Sequence, residues 1–204
     1  MSAYTARGSL LDVSLGTLAP TALVPWARGA AVVFAVALTA TAAQFTAVVP
    51  FTVVPFTLTP LVVLLVGAAL GSRMGAASQL AYLAAGIAGL SVFAPSLILP
   101  PGAARLLGPT GGYLMAYPAA AFVVGRLAER GWDRSFLTSV AAMLAGLAVI
   151  YAGGLTWMVI YTRSFQAAVL QGITPFLVAD LAKAVMAALL LPQAWRFLAT
   201  DREQ

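Results

Sequence analysis

Between Pro175 and Pro192 the chain runs almost without a polar side chain, yet that run holds one acid and one base, Asp180 and Lys183, three residues apart. A run of this length and composition reads as a membrane helix. An ionisable group at the centre of such a helix costs about 2.5 to 3.5 kcal/mol, so the two together approach ~6 kcal/mol. In water an i,i+3 ion pair returns only a few tenths of that. The face shared by Asp180 and Lys183 is therefore expected to look into a polar cavity or the bundle interior, and it is the candidate ligand site. The structural alternative is a charge pair that fixes helix register.

The rest of the chain carries the same signal. Of 204 residues, 62% are hydrophobic and 8% charged, against about 25% charged in soluble domains; the mean hydropathy is +0.97. These values imply an all-α integral membrane protein. Six spans of ~20 residues leave only short connections, so a bundle of six transmembrane helices accounts for residues 29–204, preceded by an interfacial segment, residues 1–28. Cysteine and histidine are both absent, which removes disulfides, thiolate chemistry, Cys/His metal sites and His-based triads. No G-x-x-x-x-G-K-[ST] loop occurs, so any work driven by ATP must draw on another subunit. The net charge of +5 comes mostly from arginines at helix ends, which reads as orientation signal and contact with the lipid bilayer, not nucleic acid.

After Arg7 the chain meets Asp12, Gly16, Pro20 and Pro25, too interrupted for the apolar core of a secretory signal, so residues 1–28 are expected to be retained. Trp26 and Arg28 suit a membrane interface. The first span is expected from Gly29 to Ala47, with Ala31, Ala35, Thr39, Ala43 and Ala47 recurring every fourth position. Such a small-residue stripe lets a second helix approach closely, either from this chain or from a partner subunit. Pro50, Pro55 and Pro60 then forbid a regular helix. The second span, Leu61–Ser72, is too short to cross alone, so part of the proline segment must lie at membrane depth as a lid or pocket-lining loop. The alternative is a helix that begins earlier, with Pro60 tolerated in its first turn.

A turn from Gly71 to Gly75 leads to the third span, Ala76–Phe93, with Gln79 and Tyr82 among apolar neighbours. A loop rich in proline and glycine follows, containing Arg105, and Gly111 and Gly112 open the fourth span, which reaches Leu127. Glycines at a helix start permit close backbone approach. The fifth span is Phe136–Met158, followed by an amphipathic piece, Ser164–Gln171. The sixth starts within Gly172–Pro175, where proline suits the first turn. One set of connections holds Arg7, Arg28, Arg73, Arg126, Arg130, Arg134, Arg196 and Arg202; the opposite set holds Arg105 and Arg163. By the positive-inside rule both termini are cytoplasmic, and the proline segment, the glycine loop and the start of the sixth span face outward.

Taken together, the proline-rich segment Pro50–Pro60, Gly67–Gly71 with Arg73 and Gly75, Tyr82–Phe93, Leu107–Tyr113 and Gly172–Ala184 resemble the BioY family, the biotin-binding S components of energy-coupling factor (ECF) transporters. The resemblance covers about residues 30–195. It implies a six-helix bundle with an outward-facing biotin pocket in the bacterial cytoplasmic (inner) membrane, and high-affinity biotin uptake, not catalysis. It also implies assembly with a transmembrane coupling subunit and ATPase subunits that hydrolyse the ATP, with no cofactor on this chain; homo-oligomerisation stays open. Asp180 and Lys183 match residues that contact biotin in that family. A carboxylate can accept from a ureido N–H and an ammonium can donate to a carbonyl or carboxylate. By the same resemblance Tyr82, Gly111 and Gly112 would line the pocket, Arg105 would meet the ligand carboxylate, and Gln79 would add an amide contact. Thr39 departs from the alanine stripe usual in the family, and Ala179 stands where a glycine before the aspartate is common.

Three other readings remain at this point: an S component for another small vitamin, a membrane-embedded enzyme with Asp180 as general acid/base, and a structural or assembly subunit. The enzyme would need a second catalytic group or metal ligands, which a chain with no histidine, no cysteine and six acids supplies poorly.

Overall fold

The structure is a computed structural model, described over residues 8–18, 20–47, 52–96 and 99–200. Helix α1 (Leu10–Leu18) and a 3-10 turn (Thr21–Leu23) lead into α2 (Val24–Gln44). A two-residue strand β1 (Thr46–Ala47) pairs antiparallel with β2 (Phe56–Thr57). Then come α3 (Thr59–Leu70), α4 (Ser72–Ile87), the short α5 (Ala104–Leu107), α6 (Gly111–Ala128), α7 (Phe136–Thr162), α8 (Phe165–Gly172) and α9 (Leu177–Thr200). Six helices, α2, α3, α4, α6, α7 and α9, make the bundle. Three of these, α2, α7 and α9, include stretches both long and apolar enough to cross a membrane. Arg7, Pro50, Phe51 and Arg202 lie outside the described residues.

Helix α6 occupies the centre, against α3, α4 and α7; α9 packs on α7 and α3, and α2 leans on α3 and α4. Close packing of α3 on α6 depends on Gly67, where a Cβ would fall 2.6 Å from the Ala121 carbonyl oxygen. Of the small-residue stripe, Ala35, Thr39 and Ala43 are buried within this chain's own bundle. Ala35 joins Ala42, Val62 and Val66 in a cluster between α2 and α3. Trp26, Val33 and Phe34 on the other side of α2 are exposed, as lipid-facing residues should be.

The element boundaries depart from the sequence expectations in ways with physical causes. Helix α2 begins at Val24, not Gly29, and α3 at Thr59, because Pro25 and Pro60 sit in the first turn, where a missing N–H leaves nothing unpaired. Helix α3 is 12 residues, about 18 Å at 1.5 Å per residue, short of a ~30 Å hydrocarbon core. The Gly71–Gly75 turn shrinks to Gly71 alone (φ 81°). Helix α4 starts at Ser72 because Glu129 Oε1 accepts from both the Ser72 N–H and its hydroxyl, each at 2.7 Å. That carboxylate caps the helix from 57 residues away. Helix α4 ends at Ile87, not Phe93, with Gly89 at φ 97° turning the chain. Phe93 folds back edge-on to Tyr82, ring centroids 5.4 Å apart. Helix α9 opens at Leu177, so Asp180 stands in its first turn.

The α3–α4 junction, the α6–α7 loop and the far end of α9 meet at one end of the bundle, through Ser72–Glu129 and through Trp195 Nε1, which donates to Asp133 at 2.7 Å. That end carries Arg73, Arg126, Arg130, Arg134 and Arg196. The other end carries Arg105 and Arg163.

Candidate functional site

A cavity of about 330 Å³ lies at the arginine-poor end. Its walls come from the 52–58 segment, the loop between α4 and α6, and the facing sides of α4, α6, α7 and α9. Asp180 and Lys183 project into it from successive turns of α9, as i,i+3 spacing requires. Both are nearly buried, at 6% and 5% exposure, with Lys183 Nζ 2.7 Å from Asp180 Oδ1. Asp180 stands in the first turn of α9, where the helix dipole favours an anion.

Neither charge relies on the other alone. Tyr151, on α7, donates its hydroxyl to Asp180 Oδ2 at 2.7 Å. Lys183 donates to the Thr57 carbonyl at 2.5 Å, and its ammonium sits 3.7 Å from the Phe56 ring centroid. An ammonium has three N–H donors; Asp180 and Thr57 take two, and the third has no hydrogen-bond acceptor, only the Phe56 ring beside it. The proline segment is therefore a strap tied to the site at Thr57. It is tied again at Thr52, whose hydroxyl donates to the Gln171 carbonyl at 2.6 Å.

The other walls are aromatic. Tyr82, Phe93, Tyr113, Tyr117 and Phe176 line the cavity. Two of the tyrosine hydroxyls are committed elsewhere, Tyr82 to the Val92 carbonyl at 3.2 Å and Tyr113 to the Gly172 carbonyl at 2.7 Å. Ring surface remains for an apolar ligand body. Arg105, 7% exposed, lines the cavity from the α4–α6 loop and donates to the Leu99 carbonyl at 3.1 Å. Burial lowers its pKa, opposed by Tyr82; guanidinium remains charged under any ordinary condition.

Of the residues singled out from sequence, Asp180, Lys183, Tyr82 and Arg105 share this cavity. Gln79 does not line it. It sits one turn deeper on α4, fully buried, donating to Thr39 Oγ1 on α2 at 3.2 Å. Gly111 and Gly112 stand behind the wall. A Cβ at Gly112 would come within 2.2 Å of Trp157 Cβ, and one at Gly111 within 1.8 Å of the Leu106 carbonyl oxygen. Their smallness seats α6 on α7 and on the loop, where Trp157 Nε1 donates to the Gly108 carbonyl at 2.8 Å. Tyr151 escaped notice, although a tyrosine in an apolar span needs a partner for its hydroxyl.

The sequence matches the BioY family over residues 17–200. The chain belongs to the BioY family. Among its relatives, the biotin transporter BioY of Thermotoga maritima is 40% identical over 128 residues, 63% of this chain and 73% of that one. The probable biotin transporter BioY of Pyrococcus horikoshii is 41% identical over 128 residues, 63% of this chain and 72% of that one. In fold, this BioY-family chain is similar to a crystal structure of the S-component for biotin from an ECF-type ABC transporter, with a TM-score of 0.75, 23% identity, and coverage of 91% of this chain and 96% of that one.

Proposed function

We propose that this chain binds biotin in the cavity and is the substrate-specific subunit of an ECF-type transporter. The observation that carries the reading is the side-by-side carboxylate and ammonium of Asp180 and Lys183 inside an aromatic cavity. Each flank of a cyclic urea presents an N–H donor beside its carbonyl acceptor. A carboxylate beside an ammonium presents the complementary pair. In this reading Asp180 accepts from a ureido N–H, the free N–H of Lys183 meets the ureido carbonyl, the tyrosine faces hold the apolar ring body, and Arg105 meets the ligand carboxylate. Tyr82 joins the contact set, while Gln79, Gly111 and Gly112 support the walls. The cavity lies at the low end of the 300–1,000 Å³ range of small-molecule sites.

Uptake places the arginine-rich end on the cytoplasmic face of the bacterial inner membrane, both termini inside and the strap and cavity outside. Energy comes from partner ATPase subunits through a transmembrane coupling subunit; this chain needs no cofactor of its own. The test is equilibrium binding of labelled biotin to the detergent-purified chain beside Asp180→Asn and Lys183→Ala. Binding by the parent that weakens about 10- to 150-fold or more in monodisperse, helical variants supports the reading, since hydrogen bonds to charged groups are worth about 1.5–3 kcal/mol each. A folded parent that does not bind biotin sinks it.

A further inference from the structure

We infer that Tyr151 is a positioning residue for ligand selection, which aims the Asp180 carboxylate at the ureido edge; the inference rests on the biotin reading above. A carboxylate hinged on α9 with only Lys183 as partner can turn its plane and present both oxygens to the one ammonium. In that state acceptor and donor satisfy each other, and little remains for a ligand. Here the carboxylate is divided. Oδ1 goes to Lys183 and Oδ2 to Tyr151, each at 2.7 Å.

Because the two partners reach it from different helices, α9 and α7, the plane is pinned at both corners. Each oxygen keeps an unused lone pair, since a carboxylate can accept about four hydrogen bonds. Tyr151 and Asp180 both line the cavity. The hydroxyl spends its single proton on Asp180 and donates nothing to the ligand, so Tyr151 acts through the acid. Two other cavity tyrosines differ: Tyr82 and Tyr113 donate to backbone carbonyls, tying wall to wall. Tyr151 alone among these three holds a charged side chain.

The test compares Tyr151→Phe with the parent, both as full chains in detergent, using two probes: biotin, and biotin methylated on a ureido nitrogen. Parent binding should weaken at least tenfold on methylation, because the methyl removes the N–H that the carboxylate accepts. In Tyr151→Phe, affinity for biotin should fall about 10- to 100-fold while the methylated probe loses less, so the ratio between the probes narrows. A variant in which both affinities fall together with an unchanged ratio overturns the inference, for the hydroxyl would then serve only general structure. Unchanged affinity and ratio overturn it equally. So does a variant that fails to fold, because the hydroxyl would then be holding α7 on α9. A parent that binds biotin but tolerates methylation at either nitrogen overturns the ureido placement, and a parent that does not bind biotin overturns the proposed function itself.

Discussion

Two buried acids sit at opposite ends of this bundle, and their surroundings divide function from architecture. Asp180 has both oxygens occupied, borders a cavity and faces a cation with a donor to spare. Asp133 is fully buried too, but Trp195 Nε1 occupies only Oδ2, Oδ1 has no protein partner, and the Arg134 guanidinium lies 4.5 Å from the centre of the Trp195 ring. Burial is common to both. What differs is whether polar capacity is left pointing at open space. At Asp133 it is enclosed, and the residue ties the α6–α7 loop to the end of α9.

The largest expected effect is at Lys183. Lys183→Met leaves the buried Asp180 carboxyl without its cation and held only by Tyr151, and it releases Thr57. Removing one partner of a buried pair costs about 3–5 kcal/mol. Biotin binding should fall at least a hundredfold and the melting temperature in detergent should drop. Retained affinity would mean the pair is architecture after all, like Asp133.

Asp133 should show itself through pH. Burial is the main cause that lifts its pKa from 3.8 to about 6, against the Trp195 hydrogen bond, a backbone N–H and the Arg134 charge. A carboxyl whose folded pKa lies above its unfolded one contributes stability below the unfolded value and loses it as pH rises through the folded value. Stability attributable to Asp133 should thus decline between about pH 3.8 and 6 by roughly 3 kcal/mol, from 1.36 kcal/mol per unit. Thermal melts across that window should slope down in the parent and flatten in Asp133→Asn. An unchanged slope in the variant would assign the titration elsewhere.

Trp195→Phe should come next, removing the indole N–H that donates to Asp133 Oδ2. A loss of about 1.5–3 kcal/mol in stability is expected for a hydrogen bond to a charged acceptor, with biotin affinity unchanged. A matching loss of affinity would show that the two ends are coupled. The smallest effect belongs to the strap: Thr52→Val removes the tie to the Gln171 carbonyl, about 1 kcal/mol, together with a local bond the hydroxyl accepts from the Val54 N–H. Biotin should dissociate about fivefold faster while stability stays nearly constant, as stopped-flow release would show.

Much of this arrangement was legible in the sequence, and the exceptions share a cause. Asp180 and Lys183 lie on one face because helix geometry is local, and an acid and a base in an apolar run demand a reason. The all-α membrane character was legible from hydropathy, and α2, α7 and α9 include stretches long and apolar enough to cross. Local rules fail where the deciding partner is remote in sequence. Glu129 starts α4 four residues before the expected point, and the role of Tyr151 depends on an acid 29 residues on. Gln79 shares a helix with Tyr82, but only depth separates a cavity wall from a helix seam. Pro25 stands in the first turn of a helix and not at an interruption, and for Pro60 it is the alternative of a first-turn proline that holds, with the helix starting at Thr59 and not near Phe56. The small-residue stripe left open whose helix it meets, and its central residues are buried within this chain.

Lys183 is the only lysine in the sequence. Its ammonium, tied to the strap and the acid, is therefore the sole side-chain amine an acylating reagent can find, the α-amino group aside. Burial and the ion pair slow that acylation in the empty chain, and a molecule seated on the amine should slow it further, so the acylation rate followed by intact mass, with and without ligand, reads occupancy. The side chain proposed to recognise the ligand is thus a built-in reporter of occupancy, readable without a label on either the protein or the vitamin.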